Sequence, residues 1–247
     1  MTGMTGAASA PAGGLCVVVL AGGEGRRIGG GKPQRRLTGQ TLLARALALA
    51  GSWSAHVAIA VRHPGQAPER LSIKWHQVSD QNSPGLSNRS ASSDPAKSED
   101  ARGAADVVID DPAIDGPLSG LLASLRHGRR LGCNAVLTIP CDMPFLPPDL
   151  AGRLSAALAG TAGPAVAVAS SAGRLHPVCA LWTPDAEAVL LREADAGRLS
   201  LTNLTERLDR RIVDWPVTAI DPFFNINTPE DLDLAAALLT EPARRST

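Results

Sequence analysis

Residues 15–32 read LCVVVLAGGEGRRIGGGK, an apolar run that passes directly into a loop of glycines and basic residues. The β-branched run from Cys16 to Leu20 is typical of a buried strand. Glycines let backbone N–H groups approach a phosphate closely, and arginine and lysine add positive charge. The pattern therefore predicts a phosphate-binding loop directly after the first strand of a sheet.

Two well-known phosphate loops do not account for this one. A Walker A loop, GxxxxGK[ST], would need glycine where Arg26 lies and Ser or Thr where Pro33 lies. A dinucleotide fingerprint that starts at Gly23 and Gly25 would need a third glycine where Ile28 lies. The loop is therefore predicted to bind phosphate in neither of these two ways.

Strand patterns alternate with helix patterns along the rest of the chain. The predicted strands cover residues 16–20, 56–61, 107–109, 135–139, 165–169 and 178–182, and the predicted helices cover 41–50, 117–129, 148–159, 185–194 and 229–240. This order predicts βαβ units in a single-domain, Rossmann-like α/β fold, with a mostly parallel sheet between two helical layers. Ligands of such sheets bind where the strands reach their carboxyl ends.

The predicted domain covers residues 15–240. Residues 81–104 are rich in Ser, Asn, Asp, Pro and Gly, with Leu86 as their one large aliphatic residue. Such a segment buries too little apolar surface to offset its ordering entropy, so we expect a flexible insertion there. We expect flexible tails at 1–14 and 241–247.

Composition argues against nucleic-acid and membrane partners. The 247 residues include 24 Lys+Arg and 24 Asp+Glu, so the net charge is zero and no global field favours a polyanion. No apolar run approaches the roughly 20 residues of a membrane span, and residues 1–14 lack the features of a signal peptide. We therefore expect a cytoplasmic protein.

The four cysteines are Cys16, Cys133, Cys141 and Cys179. They form no CxxC pair, and no histidine cluster has the spacing of zinc ligands. Since free cysteine is among the most buried residue types, we expect four buried, reduced thiols.

A candidate metal ligand follows the predicted strand at residues 135–139. Residues 134–147 read NAVLTIPCDMPFLP, so the strand delivers Asp142 to its carboxyl end between prolines that stiffen the loop. Mg²⁺ needs few protein carboxylates when a triphosphate supplies its other oxygen ligands. Asp142 is therefore predicted to hold Mg²⁺. The alternative, a helix cap, is less favoured because Pro147-Pro148-Asp149 begins the next helix better.

Two aspartates, Asp110 and Asp111, follow the predicted strand at residues 107–109. They precede the sequence GPLSG at 116–120, where a predicted helix begins and its N-terminus favours anions. Either aspartate could contact a nucleotide there, and an Asp-Asp-Pro turn without function is the alternative.

Three polar residues in the second half of the chain are candidates for substrate binding. His176 precedes the predicted strand at 178–182, and a buried structural histidine is the alternative. Asn225 and Asn227 are two residues apart in an extended segment, so their side chains share one side. Capping of the last helix by Asn227 or Thr228, with a proline in its first turn, would also explain this motif.

Several of these segments resemble motifs of the molybdenum cofactor guanylyltransferases and related NTP-transferases. LAGGEGRRIGGGK (20–32) is similar to LAGGxxxRMGGxDK, and PCDMPFLPPDL (140–150) is similar to PCDxPFLPxDL. GPLSG (116–120), HPVCAL (176–181) and FNINTPEDL (224–232) resemble GPLAG, HPxxAL and FxNxNTPEDL. The chain departs from the family at Ile28, where the family has Met, and at Gly31, where a loop one residue longer has Asp. It also departs at Ala60, where the family commonly has a nucleotide-contacting Asn.

The resemblance implies a nucleotidyltransferase fold and a reaction that transfers GMP from GTP to the phosphate of molybdopterin or molybdenum cofactor. It implies Mg²⁺ as the cofactor, held by Asp142, and catalytic roles for Lys32, Asp142 and Arg26. The nucleotide-binding residues that it implies are Leu20, Ala21, Gly22, Gly23, Lys32, Asp111 and Asp142. Molybdoenzymes or cofactor-delivery proteins are the implied protein partners.

Two other interpretations of these motifs remain open. A related transferase would use CTP on molybdopterin, or an NTP on a sugar or polyol phosphate. The sequence Ala21-Gly22-Gly23 and the GPLSG block favour the guanylyl member. A nucleotide- or cofactor-binding protein without catalysis is the second interpretation, motivated by the departures at Gly31 and Ala60. Retention of Lys32 and Asp142 favours an enzyme.

Overall fold

The structure is a computed structural model that describes residues 14–23, 31–67 and 105–240. The insertion predicted at 81–104, the tail 241–247 and all of the N-terminal tail except Gly14 lie outside the described residues. Among the helices that are described, none combines the length and the apolar character that crossing a bilayer requires.

Apolar runs form strands and amphipathic runs form helices in the order that the sequence predicts. The strands are β1 (Leu15–Leu20), β2 (Arg36–Leu37), β3 (Gln40–Thr41), β4 (His56–Val61), β5 (Asp106–Ile109), β6 (Ala135–Pro140), β7 (Ala165–Ser171), β8 (Arg174–Trp182) and β9 (Asp209–Trp215). The helices are α1 (Leu42–Trp53), α2 (Pro117–Arg130), α3 (Leu150–Leu158), α4 (Ala186–Asp195), α5 (Leu201–Glu206) and α6 (Pro229–Thr240).

In the described part of the chain, seven strands form one sheet in the order β5-β4-β1-β6-β8-β7-β9. Every neighbouring pair is parallel except the pairs that β8 makes with β6 and β7. β8 is antiparallel because it follows β7 through a tight turn at Ala172 and Gly173, both with positive φ. The predicted, mostly parallel sheet is confirmed.

Helices cover both faces of this sheet. Leu47 of α1 shares a buried cluster with Val17, and α3 belongs to the same cluster. Leu122 of α2 shares a second cluster with Val18, which also includes α4 and α5. Val17 and Val18 are neighbours in β1 and are both fully buried, because successive side chains of a strand point to opposite faces. The predicted three-layer arrangement is confirmed.

A third, smaller cluster joins the β2–β3 hairpin to α6. Its buried members, each at most 1% exposed, are Leu37 of β2, Leu42 of α1, Ile226 in the segment before α6, and Ala235 of α6. The hairpin comes two residues after a short 3₁₀ helix, Lys32–Gln34. This cluster therefore fixes the backbone that carries Lys32.

Three elements are absent from the sequence prediction: the β2–β3 hairpin, α5 and β9. The hairpin strands and α5 are too short to show a period. β9 is an edge strand with mostly exposed or half-exposed side chains, so it lacks the apolar run of a central strand. β8 also begins earlier than predicted, at Arg174, because its pairing with β7 continues beyond a register shift between Val168 and Ala169.

Candidate active site

Asp142 lies just beyond the carboxyl end of β6. Its backbone carbonyl accepts a hydrogen bond from the N–H of Ile226 at 3.0 Å, which fixes the position of the turn. Its Oδ2 atom lies 2.5 Å from Nζ of Lys32. Its Oδ1 atom is buried and has no hydrogen-bond partner among the described residues. Asp142 therefore keeps one acceptor oxygen for a further cation.

Lys32 reaches Asp142 from the far end of the glycine loop. The preceding Gly31 has φ 58°, a left-handed conformation that glycine adopts without strain. Besides Asp142, Nζ of Lys32 contacts Oδ1 of Asn227 at 3.0 Å and Oδ1 of Asn225 at 3.4 Å. An ammonium has three N–H donors, so these three acceptors match its capacity. The structure thus brings together Lys32, Asp142, Asn225 and Asn227.

A helix cap orients the segment that carries the two asparagines. Oγ1 of Thr228 accepts the N–H of Asp231 at 3.1 Å, while Oδ2 of Asp231 accepts the N–H groups of Asn227 and Thr228 at 2.8 and 2.9 Å. This reciprocal pattern is a capping box at the start of α6. These hydrogen bonds, first of all that from Asn227, lower the pKa of the Asp231 carboxyl. The predicted capping is confirmed, and it holds Asn227 beside Lys32.

The first residues of the glycine loop extend the pairing of β1 with β4. The N–H of Ala21 donates to the carbonyl of Ala60 at 2.8 Å, one residue beyond the end of β1. Leu20 is half-buried, Ala21 is buried and Gly23 is exposed. Arg26 lies outside the described residues, so its predicted role is not tested by the structure.

Gly22 is the tightest point of the described loop. A Cβ atom there would come within 3.1 Å of both the backbone N of Arg62 and Oδ2 of Asp110. A Cβ atom at Gly23 would meet nothing within 4 Å. Close packing against the residues that follow β4 and β5 therefore favours glycine at position 22, while position 23 lies open.

The two aspartates after β5 have different partners. Asp110 faces Gly22 on one side and Gly120 on the other, where an added Cβ atom would lie 3.2 Å from Oδ1 of Asp110. Burial raises the pKa of Asp110. Asp111 forms an ion pair with Arg126 at 2.6 Å. The structure therefore places Asp110 against the glycine loop, whereas the sequence analysis favoured Asp111. Sequence spacing could not separate these adjacent residues, because Asp110 packs between the loop and the first turn of α2 while Asp111 pairs with Arg126 farther along that helix.

His176 lies in the β7–β8 hairpin and is 5% exposed. Its Nε2 atom is 2.8 Å from Oγ of Ser171, and its ring stacks on Phe223 with centroids 4.4 Å apart. The same Ser171 hydroxyl donates to Oδ1 of Asp221 at 2.9 Å. Burial lowers the pKa of His176. Ser171 and Asp221 are not predicted from the sequence, although the position of Asp221 just before the FNIN segment is a signal that could have found it.

The donor set at Asp142 fits a metal ion that arrives with a nucleotide. Within residues 14–23, 31–67 and 105–240, no group of three or more His, Cys, Asp or Glu side chains could bind a metal by itself. Mg²⁺ in nucleotide sites is held by one or two carboxylates and by phosphate oxygens. The unpartnered Oδ1 of Asp142 supplies one such carboxylate oxygen.

The four cysteines are buried and unpaired, as predicted. Burial, with a smaller effect of the neighbouring Asp142 charge, raises the pKa of Cys141 to about 12. The thiol beside the candidate site therefore stays protonated at neutral pH, which argues against a nucleophilic cysteine.

Known proteins of one family are similar to this chain over most of its length. Residues 17–211 match the MobA-like NTP transferase domain. The chain is 36% identical to the molybdenum cofactor guanylyltransferase of Rhodopseudomonas palustris (strain BisB5), over 92% of this chain and 95% of that protein.

Two solved structures show the same fold. Molybdopterin-guanine dinucleotide biosynthesis protein A from Archaeoglobus fulgidus has a TM-score of 0.62 at 24% identity, covering 91% of this chain and 98% of that one. The 2-C-methyl-D-erythritol 4-phosphate cytidylyltransferase from Thermus thermophilus has a TM-score of 0.58 at 18% identity, covering 92% and 100%. Because the domain match spans most of the sequence and the relative aligns over nearly its whole length, this chain belongs to the family of MobA-like NTP transferase domains.

Proposed function

We propose that this chain transfers GMP from GTP to the terminal phosphate of molybdopterin or molybdenum cofactor. The products are the guanine dinucleotide form of the cofactor and pyrophosphate. The observation that carries the proposal is the 2.5 Å contact between Nζ of Lys32 and Oδ2 of Asp142, which joins the glycine loop to the end of β6. The relative named molybdenum cofactor guanylyltransferase supports GTP as donor and molybdenum cofactor as acceptor.

The proposed reaction is a substitution at the α-phosphorus of GTP. An oxygen of the acceptor phosphate forms the new P–O bond, the bond to the bridging oxygen breaks, and pyrophosphate leaves with that electron pair. The attacking phosphate is already anionic, so the step needs no strong general base. The protein has to align the two phosphates and compensate the charge that grows on pyrophosphate.

Asp142 is the residue that would hold Mg²⁺, through its unpartnered Oδ1 atom. Bound Mg²⁺ would supply charge neutralisation at the phosphate oxygens. Lys32 directs its ammonium to the leaving pyrophosphate, and we propose that Arg26 adds a second positive charge. The contact with Asp142 holds the Lys32 ammonium at the carboxyl end of β6.

The remaining polar residues are assigned by their surroundings. The backbone of residues 20–23 contacts the nucleotide at the open face of the loop. Asp110 contacts the nucleotide because its carboxylate lies against Gly22, while Asp111 is engaged by Arg126. Direct contact of the acceptor with His176, Asn225 or Asn227 stays a prediction. Molybdoenzymes or delivery proteins would receive the product.

The test supplies the purified full chain with GTP, Mg²⁺ and molybdopterin, and measures pyrophosphate and the dinucleotide product. Asp142→Asn keeps the size of the side chain but removes its charge, so we expect the transfer rate to fall by about 10³. Asp233→Asn, an exposed position on α6, is the matched control and should leave the rate unchanged.

Four outcomes would contradict parts of this proposal. Activity of Asp142→Asn within tenfold of wild type would remove the metal role of Asp142. Equal activity in the presence of EDTA would remove the dependence on Mg²⁺. A preference for CTP over GTP would contradict guanylyl transfer, and GTP binding without turnover would favour a non-catalytic protein.

A further inference from the structure

A buried chain of hydrogen bonds connects the β7–β8 hairpin to the segment before α6. It runs from Nε2 of His176 to Oγ of Ser171 and on to Oδ1 of Asp221, with distances of 2.8 and 2.9 Å. A hydroxyl carries one proton and a carboxylate oxygen only accepts. Ser171 therefore donates to Asp221 and accepts from the Nε2–H of His176. This direction makes His176 the first donor of the chain.

The far end of this chain anchors residues 221–227. Oδ1 of Asp221 also accepts the N–H of Phe223 at 2.9 Å, and the Phe223 ring stacks on the imidazole. At the other end, the N–H of Ile226 donates to the backbone carbonyl of Asp142 at 3.0 Å. The segment is therefore held at two points, and Asn225 lies between them.

The register of the sheet places the β7–β8 hairpin at the same end of the strands as Asp142. Ala180 of β8 pairs both with Val168 of β7 and with Thr138 of β6. β6 and β7 run in the same direction because both are antiparallel to β8. Ser171, the last residue of β7, lies three residues beyond Val168, and Pro140, the last residue of β6, lies two residues beyond Thr138. The two strands therefore end on the same side of the sheet. The buried chain is thus built beside the candidate active site.

We infer that His176 is a positioning residue for Lys32, because the chain that it starts holds the segment whose two asparagines contact the Lys32 ammonium. The inference rests on the proposed function, in which the Lys32 charge stabilises the leaving pyrophosphate. That charge develops in the transition state. Loosening the supports of Lys32 therefore lowers kcat more than it raises KM for GTP.

Two substitutions separate the hydrogen bond of His176 from its packing. His176→Phe keeps an aromatic ring against Phe223 and removes the donor to Ser171. His176→Gln removes the ring and can return an N–H donor near the position of Nε2. A role through the hydrogen bond predicts that the Gln variant works and the Phe variant does not. A role through packing alone predicts the reverse.

The first measurement is steady-state GMP transfer by the full chain. We expect His176→Phe to lower kcat about tenfold, the scale of one net hydrogen bond, with KM for GTP within about twofold. We expect His176→Gln to retain kcat within about threefold of wild type, since the donor is restored.

The second measurement is amide hydrogen exchange of the same variants without substrates, which needs no catalytic activity. In His176→Phe we expect amide exchange of residues 223–227 to accelerate about tenfold, because their anchor is weakened. Exchange in α2, which packs in the other large cluster and shares no buried contact with this segment, should stay unchanged. Faster exchange in both regions would indicate general destabilisation and would overturn the inference.

Ser170 offers a matched control for Ser171. It is buried in the same strand, but its hydroxyl donates to Asp214 of β9, outside the anchored segment. We expect Ser171→Ala to reproduce the effects of His176→Phe. Ser170→Ala should leave kcat and the amide exchange of residues 223–227 within about twofold of wild type, although it also removes a buried hydrogen bond.

A double-mutant cycle tests whether His176 acts through the asparagines. In a chain with Asn225→Ala and Asn227→Ala, His176→Phe should lower kcat by less than about twofold further. The inference would be overturned if the His176→Phe and asparagine substitutions lowered kcat independently, so that their fold-losses multiplied. Unchanged amide exchange of residues 223–227 in His176→Phe would also overturn it. Absence of GMP transfer by the wild-type chain would contradict the proposed function, and the exchange data would still decide whether His176 anchors the segment.

Discussion

The carboxyl ends of β6 and β5 both carry aspartates, yet their surroundings differ in kind. At β6, Asp142 contacts Lys32, whose ammonium also contacts two asparagine side chains. At β5, Asp110 faces two glycines, Gly22 and Gly120, where an added Cβ atom would come within 3.1 to 3.2 Å of its carboxylate. At the β6 end a lysine and two asparagines organise the polar cluster, whereas at the β5 end two glycines pack closely against the aspartate, beside Ser119 and Arg62.

This difference matches two demands of nucleotide binding. Phosphates require positive charge and metal coordination, which a cluster of polar side chains provides. A base and a ribose require a close fit and a few well-placed polar groups, which glycines and one carboxylate can provide. The comparison therefore predicts that substitutions at β6 affect the chemical step, whereas substitutions at β5 affect nucleotide recognition.

The largest effect is expected from removing the charge at the β6 end. Lys32→Met keeps most of the side-chain length and removes the ammonium, so we expect kcat to fall by about 10² to 10³. Lys32→Arg should retain more activity than Lys32→Met, because the guanidinium keeps the charge but not the point geometry. Single-turnover GMP transfer measures the chemical step directly. An unchanged single-turnover rate in Lys32→Met would remove Lys32 from catalysis and end the contrast between the two strand ends.

A smaller effect is expected from the aspartates at the β5 end. Asp110→Asn should lower kcat/KM for GTP by about 10- to 100-fold, the range for a hydrogen bond to a charged group. Asp111→Asn should leave kcat/KM within about threefold, because the carboxylate of Asp111 is engaged by Arg126. The reverse result would return the nucleotide contact to Asp111.

Gly22 and Gly23 form a third comparison within the β5 side of the site. In Gly22→Ala the new Cβ atom would press on the backbone N of Arg62 and on the Asp110 carboxylate, so the loop must shift by a few tenths of an ångström. We expect KM for GTP to rise about tenfold with little change in kcat. Gly23→Ala, where a Cβ atom meets nothing within 4 Å, is the control. Equal effects of both substitutions would show that space at Gly22 is not what nucleotide binding requires.

The central strands could be predicted from the sequence because strands buried on both faces consist of continuous apolar residues. β1, β4 and β6 lie in the middle of the sheet with helices on both sides, so apolar runs identify them. β9 could not be predicted in this way, since it is an edge strand that keeps Arg210, Arg211 and Asp214 among its seven residues. The β2–β3 hairpin escaped prediction because each of its strands has only two residues.

Some residues of the candidate site could likewise be predicted from the sequence, and others could not. Lys32, Asp142, Asn225 and Asn227 could be named from motifs, although spacing alone could not predict that one ammonium contacts the other three. The choice at the end of β5 could not be made from sequence. Successive side chains of an extended chain point to opposite sides, so only one of the two aspartates, Asp110, lies against Gly22. Which one does so depends on the pairing of β5 with β4.

The smallest expected effect is on thermal stability, which the ionised carboxylate of Asp110 lowers. Burial raises the pKa of Asp110 above its ordinary 3.8 and outweighs the attraction of Arg62, so the folded state binds the proton more tightly than the unfolded state. Stability therefore falls as pH rises from about 3.8 through the folded pKa, and the loss persists at pH 7.

Asp110→Asn removes this loss, and we expect Tm at pH 7 to rise by about 1–3 °C, limited by the partial exposure of the side chain. The difference in Tm from wild type should shrink below pH 4, where the wild-type carboxyl is protonated in both states. Asp111→Asn should lower Tm instead, because it breaks the ion pair with Arg126. If thermal unfolding shows both variants less stable than wild type, Asp110 is a structural residue. If Asp110 serves to bind GTP, Asp110→Asn should be more stable than wild type and should bind GTP more weakly.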